Sequence, residues 1–305
     1  MSQNHHHMPG GKNASLRLGL SLGLTFLFVI VEIFAGLWSN SLALLTDAAH
    51  NLGDVVALGL SWFAILIAAR PAHSRRTFGY HRVGILVALF NAVSLIAISL
   101  GIFYEAWQRF THPTEVESIT LIGVGTLAFF INLFTAWLVK EGSQHDINMR
   151  SAFLHLIGDV FSTLGAVAAG IAILFTGWNW LDPLVSVLIS VFILWNAWLI
   201  LRQAVSILIE STPKDIHVNT LLTDLQTIPG VQDVHDLHIW AITENMRMLS
   251  AHIVTADQPI SAGVALQRDI RAMLAERYRI QHATLQLECA QCNQDGLYCA
   301  LGCTD

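Results

Sequence analysis

Apolar and polar positions divide the chain into two unlike parts. Six stretches of mostly apolar residues fill the first two thirds: Leu16–Trp38, Leu42–Ala69, Val83–Trp107, Ile119–Val139, Ala152–Phe175 and Pro183–Leu208. Each has the roughly 20 residues that a helix needs to cross the hydrocarbon core of a bilayer. The links between them, at 39–41, 70–82, 108–118, 140–151 and 176–182, are too short to hide a soluble domain. The first stretch is too long for a removable signal peptide and lacks a small-residue cleavage site.

Past residue 209 the periodicity changes. Ile216–Ile228 is amphipathic and ends at Pro229-Gly230. Val234–Thr243 alternates and meets Met246–Thr255 through a turn at Glu244-Asn245, a hairpin signal. Ala262–Tyr278 reads as a second helix and Ala283–Glu288 as a short strand. The expected fold is an α-helical membrane protein with six transmembrane helices, followed by a C-terminal α+β domain of order αββαβ. The expected divisions are a flexible arm at 1–14, the helical membrane domain at 15–209, the αββαβ domain at 210–288 and a Cys-rich tail at 289–305. About 80 ordered residues give the αββαβ part enough core to fold, with a gain from dimerisation.

Composition sharpens this division. Hydrophobic residues make up 54% of the 305 and charged residues 12%, about half the usual charged share of a soluble domain. Acids and bases balance through residue 209, so the whole formal charge of −6 falls on 210–305. With acids in excess and no basic run, nucleic-acid binding is not expected. Lys12, Arg17, Arg70, Arg75, Arg76, Arg82, Lys140 and Arg150 fall on one side of the six spans and Arg109 on the other. Positive residues favour the cytoplasmic side, so both termini are expected in the cytoplasm. The expected location is the inner (plasma) membrane.

An ionisable group at mid-bilayer costs at least about 2.5–3.5 kcal/mol and marks function. Span 2 carries His50 and Asp54, and span 5 carries His155 and Asp159, within the related strings His50-Asn-Leu-Gly-Asp54-Val and His155-Leu-Ile-Gly-Asp159-Val. Residues four apart share a helix face, so each helix offers an imidazole beside a carboxylate. Two such helices supply two nitrogen and two oxygen ligands, a tetrahedral set suited to Zn²⁺. A single pair of this kind more often only fills a polar seam; the duplication within membrane spans favours metal. Gly53 and Gly158, each preceding the Asp, remove bulk where neighbouring helices approach. Asp47, one turn before His50, is expected to support the site rather than bind metal. Glu32 reads equally as a packed polar group or one that handles protons.

At these residues the chain resembles the cation diffusion facilitator family, and within it the bacterial zinc-exporting branch. The matching strings are Ser41-Leu-Ala-Leu-Leu-Thr-Asp47-Ala-Ala-His50, Phe78-Gly79-Tyr80-His81-Arg82, His155-Leu-Ile-Gly-Asp159 and His282-Ala-Thr-Leu-Gln-Leu-Glu288. The resemblance implies a homodimeric six-helix transporter with a ferredoxin-like, metallochaperone-like cytoplasmic domain, exchanging metal for protons. It puts the transport ligands on His50, Asp54, His155 and Asp159. It implies a regulatory zinc site at His235, His252, His282 and Glu288, with His81 reaching it from the membrane side. It also implies an opposite-charge pair, Arg82 with Glu210, near the junction of the two parts. Relatives with a metal site between spans 2 and 3 use Asp and His; here Arg75 and Arg76 would repel a cation. Only His145 stands in the link from span 4 to span 5, where many eukaryotic relatives are His-rich.

Cys289, Cys292, Cys299 and Cys303 form a CxxC and a near match to one. In a reducing cytoplasm such spacing favours metal over disulfides. A four-thiolate zinc site and a loose metal-scavenging tail both fit. His5-His6-His7 is too short for a standard purification tag and would make a weak metal-capturing arm.

The expected activity is proton-coupled export of Zn²⁺, with Cd²⁺, Co²⁺ or Ni²⁺ as further fits and the bilayer and a second copy as partners. A membrane-anchored metal sensor has no need of mid-membrane ligands. An intramembrane metalloenzyme needs an open coordination position and a general base.

Overall fold

The computed structural model describes residues 11–140 and 147–289. Six long helices come first: α1 (Gly11–Ser39), α2 (Leu42–Ala68), α3 (Val83–Thr111), α4 (Ser118–Lys140), α5 (Ile147–Thr176) and α6 (Leu181–Leu208). Then follow α7 (Val218–Gln226), β1 (Asp233–Thr243), β2 (Met246–Val254), α8 (Ile260–Tyr278) and β3 (Ile280–Glu288). Among the described residues, five stretches are long and apolar enough to span a membrane: Leu42–Ala68, Val83–Thr111, Ser118–Leu138, Phe153–Thr176 and Leu181–Leu208. α1 adds a shorter apolar stretch, Gly23–Ser39.

The described residues fall into two compact units, one within 11–62 and 90–201 and the other within 63–89 and 202–289. In the first unit large apolar side chains such as Phe34, Trp62 and Phe175 point outward, while Glu32, Asp47, His50, Asn51 and Asp159 are buried. This inversion of a soluble protein's pattern suits a hydrocarbon solvent. α4 packs along α5 and against α1. The close approach depends on Gly170, where an added Cβ would meet Ile122 Cγ1 at 2.9 Å.

The start of α2 is fixed from far along the chain. Asp182, at the start of α6, accepts hydrogen bonds from Ser41 Oγ at 2.6 Å, Leu42 N at 2.6 Å and Ala43 N at 3.2 Å. It therefore satisfies amides that a helix N-terminus leaves without partners. Arg109 lies 3.7 Å from the same carboxylate and donates to the Asn40 carbonyl, which compensates a fully buried charge. Asn40, in the left-handed region at φ 56°, turns the chain from α1 into α2.

In the second unit, β1 pairs antiparallel with β2 and β2 parallel with β3, in the order β1-β2-β3. Leu221 and Leu225 of α7 and Leu266, Ile270 and Leu274 of α8 recur at helical spacing. They bury against Ile239, Leu249, Ile253, Ile280 and Leu285 of the sheet. One sheet face is thus covered by both helices. The order αββαβ is as expected, but β3 begins at Ile280 rather than Ala283. Arg279 ends α8 in the left-handed region at φ 56° and leads straight into the strand.

Candidate metal centre

The two His-Asp pairs of the membrane helices meet. His155 Nε2 donates to Asp54 Oδ2 at 2.9 Å, and His50 Nε2 lies 3.3 Å from Asp159 Oδ1. Within each helix the separations are 3.7 Å from His50 to Asp54 and 3.8 Å from His155 to Asp159. In a tetrahedral zinc site with bonds of about 2.0–2.2 Å, neighbouring ligand atoms stand roughly 3.3–3.6 Å apart. The four N–O separations bracket that edge. Ligand atoms of His50, Asp54 and His155 all lie within 4.8 Å of one another, and Asp159 joins them through both imidazoles.

The cross-helix partners show that α2 and α5 run antiparallel here. Asp54 and His155 form one layer, toward the C-terminal end of α2. His50 and Asp159 form the other. The first layer is the accessible one: the Asp54 and His155 side chains are 34% and 38% exposed, against 7% and 5% for His50 and Asp159. The cluster is closed at one end and open at the other. Gly53, beside Asp54, lets α3 come close, since a Cβ there would meet Leu95 Cδ2 at 2.8 Å. At Gly158 the same test finds only ordinary contact with Phe192, at 3.5 Å.

A buried polar network backs this cluster. Asn51 Nδ2 donates to Asp47 Oδ2 at 3.3 Å and to Glu32 Oε2 at 3.4 Å, and Ser162 Oγ donates to Asp47 Oδ1 at 3.2 Å. Asp47 therefore holds Asn51, the neighbour of His50, to α5. The sequence drew attention to Asp47 and Glu32 but not to Asn51 and Ser162, whose part depends on how α1, α2 and α5 pack.

A second group lies on the sheet face away from α7 and α8. His235 of β1 pairs directly with His252 of β2, and Glu288 of β3 pairs with Val254 of β2. His235 Nε2 donates to Glu288 Oε2 at 3.0 Å, while His252 Nδ1 is 2.8 Å from Glu288 Oε1 without the alignment of a hydrogen bond. The ligand atoms of all three fall within 4.8 Å of one another, a donor set that fits a divalent metal. Burial alone would raise the Glu288 carboxyl. Hydrogen bonds from Gln286 and His235, with the charges of His252 and His235, outweigh it and hold the group below its ordinary range. Asp236 adds an oxygen 3.3 Å from His252 Nε2. The sequence hid this residue, because a register shift between His235 and His238 and a φ of 49° at Asp236 re-aim its side chain.

Other expected residues stand elsewhere. His282 shares the sheet face of His252 but pairs with Met248, four residues along β2 and so about 13 Å from His252. Its ring stands 6.2 Å from that of Phe78. His81 lines a cavity with Arg75, Arg76 and Arg82. The structure brings neither His282 nor His81 into the His235–His252–Glu288 group. Arg82 Nη2 donates to Glu210 Oε1 at 2.8 Å. Cys289 is exposed. Cys292, Cys299, Cys303, His145, His5, His6 and His7 lie outside the described residues.

Residues 18–209 match the family described as the cation efflux transmembrane domain, and residues 213–290 match the cation efflux protein cytoplasmic domain. The chain belongs to the cation efflux, or cation diffusion facilitator, family. It is 38% identical over 295 residues to the metal cation efflux system protein CzcD of Cupriavidus metallidurans, covering 96% of this chain and 92% of that one. It is 37% identical over 298 residues to the cadmium, cobalt and zinc/H(+)-K(+) antiporter of Bacillus subtilis, covering 97% and 94%. To the zinc transporter ZitB of Escherichia coli it is 35% identical over 294 residues, covering 96% and 93%. The metal-bound C-terminal domain of the CzcD transporter matches at 32% identity and TM-score 0.22, covering 24% of this chain and 99% of that one. Proteins of this family are membrane transporters and not enzymes.

Proposed function

We propose that the protein exports Zn²⁺ from the cytoplasm in exchange for protons, with Cd²⁺ and Co²⁺ as further cargo. The observation that carries this reading is the meeting of two His-Asp pairs inside the membrane helices, at N–O separations of 2.9 to 3.8 Å. The names of the relatives, which include a zinc transporter and a cadmium, cobalt and zinc antiporter, support it.

The proposed cycle follows from the ligands. A divalent ion reaches Asp54 and His155 first, because that layer is accessible, and is then completed by His50 and Asp159. Metal needs deprotonated ligands, so ion and protons exclude one another at the site. Imidazole, with an ordinary pKa near 6.5, can make that exchange at cellular pH. Once α2 and α5 reopen on the other side, protons displace the ion. Four protein ligands leave no open position for activating water, which disfavours a hydrolytic role.

The proposal extends to the arrangement around the site. Residues 15–209 form the membrane domain, residues 210–288 the cytoplasmic domain, and two copies make the working unit in the inner membrane with both termini inside. His235, His252 and Glu288 would hold a resident Zn²⁺, which would cross-link β1 to β3.

Zinc content tests the direction of transport. Cells lacking their own zinc exporters should accumulate less zinc under zinc stress when they express the protein. Equal accumulation with and without the protein, at verified membrane expression, would contradict export.

A further inference from the structure

The link between α2 and α3 carries four arginines, and the metal chemistry uses none of them. It is a built structure. The backbones of His73 and Arg76 exchange hydrogen bonds of 3.2 and 2.8 Å. Tyr80 Oη is 3.1 Å from His73 Nε2, and the Arg76 guanidinium sits 4.6 Å from the centre of the Tyr80 ring. Beside it lies a cavity of about 530 Å³ lined by Arg75, Arg76 and Arg82 and by the apolar Val83, Leu86 and Trp240. Glu210 partly neutralises Arg82. Among the described residues Arg75 and Arg76 have no carboxylate partner.

The location selects the ligand. The link joins the end of one membrane-spanning stretch to the start of the next, so it stands at a bilayer surface, at the level of the lipid headgroups. A planar guanidinium matches the oxygens of a phosphate. Juxtamembrane arginines attract anionic lipid, and basic pockets beside spanning helices take lipid headgroups. Val83 and Leu86 begin α3 and face the same cavity, which gives an acyl chain an apolar path from headgroup to hydrocarbon. A free phosphate would leave that apolar surface unused. We propose that this cavity binds an anionic phospholipid, with Arg75 and Arg76 holding the phosphate and the first turn of α3 contacting the chain. The proposal is independent of the metal sites.

Binding to the purified full-length protein in detergent tests it, with melting temperature and native mass spectrometry as readouts. Phosphatidylglycerol should bind and raise the melting temperature, whereas phosphatidylcholine should do neither. Inorganic phosphate at equal concentration should not displace phosphatidylglycerol. The double variant Arg75→Gln, Arg76→Gln should bind it at least about tenfold more weakly, and Arg268→Gln, an exposed arginine of α8, should bind it as the unaltered protein does. Equal binding of the two lipids would overturn the proposal, as would unchanged affinity in the double variant. Full displacement by inorganic phosphate would assign the cavity to a free anion and overturn the lipid reading. The lipid and phosphate comparisons need no variant, so they stand whatever the double variant's folding.

Discussion

Asp54 and His155 come from antiparallel helices and stand 2.9 Å apart at the accessible end of the membrane cluster. His50 and Asp159, 3.3 Å apart, close the buried end. The two layers are chemically alike and differ in access.

If both carboxylates bind the ion, Asp54→Ala and Asp159→Ala should each lose zinc transport while keeping membrane expression. Loss of even a supporting partner of a ligand typically costs 10–100-fold in affinity, so each variant should bind zinc at least about 100-fold more weakly. Calorimetry on the purified variants checks this. Normal affinity in either one would remove that carboxylate from the site.

His50→Asp exchanges an imidazole for a hard oxygen donor. Oxygen ligands suit harder ions, so the variant should discriminate less well between Zn²⁺ and Mn²⁺ in a competition uptake assay. An unchanged preference would place selectivity elsewhere.

Arg82 and Glu210 are 40% and 58% exposed, so their pair contributes no more than about 1 kcal/mol to stability. Its expected role is to tie the link after α2 to the segment that follows α6, both within one compact unit. Arg82→Glu and Glu210→Arg should each slow transport with little change in melting temperature, and the double reversal should restore part of the rate. A double variant as slow as the single ones would refute the pairing.

Tyr278 donates to Asp224 at 2.6 Å, and Arg277 lies 2.7 Å from the same carboxylate. Burial, then this hydrogen bond, raises the Tyr278 hydroxyl from 10.0 to about 12, while Tyr278 and Arg277 hold Asp224 below its ordinary range. The folded state therefore keeps the tyrosine proton more tightly than the unfolded chain. The stability from Tyr278 is full below pH 10 and is lost as pH rises from 10 toward 12. Asp224 contributes above the ordinary aspartate range and loses that contribution as pH falls through its lowered value. Melting of the cytoplasmic domain should decline at both extremes, and Tyr278→Phe should flatten the alkaline decline. A variant with the original alkaline slope would refute this assignment.

The fragment 210–288 has its own apolar core, so zinc binding at His235, His252 and Glu288 can be read from its melting. With zinc at a hundredfold excess over Kd the fragment should gain about 2.7 kcal/mol over the chelated form. His252→Ala should remove the gain, while His282→Ala should keep it. The reverse result would return His282 to the metal group.

The two His-Asp pairs of the membrane helices were legible because the helical repeat turns a spacing of four into a shared face, and because the motif occurs twice. The sheet was legible in order but less so in detail. His282 has the same residue type and strand parity as His252. Only the register, which pairs it with Met248, separates it from the cluster. Asp236 was hidden because a bulge breaks the alternation on which a strand is read. The network of Glu32, Asn51 and Ser162, and the capping of α2 by Asp182, join residues far apart in sequence, so no local pattern announces them. The boundary drawn at residue 210 follows the change in periodicity, while residues 63–89 group with the C-terminal part by packing.

The central claim is exchange of zinc for protons at His50, Asp54, His155 and Asp159. Proteoliposomes with an acidic lumen, carrying a zinc dye and a pH dye together, test it most directly. External zinc should enter while the lumen turns alkaline, and both signals should vanish when the gradient is collapsed and in Asp54→Ala. Zinc entry that ignores the pH gradient, or that persists in Asp54→Ala, would contradict the account.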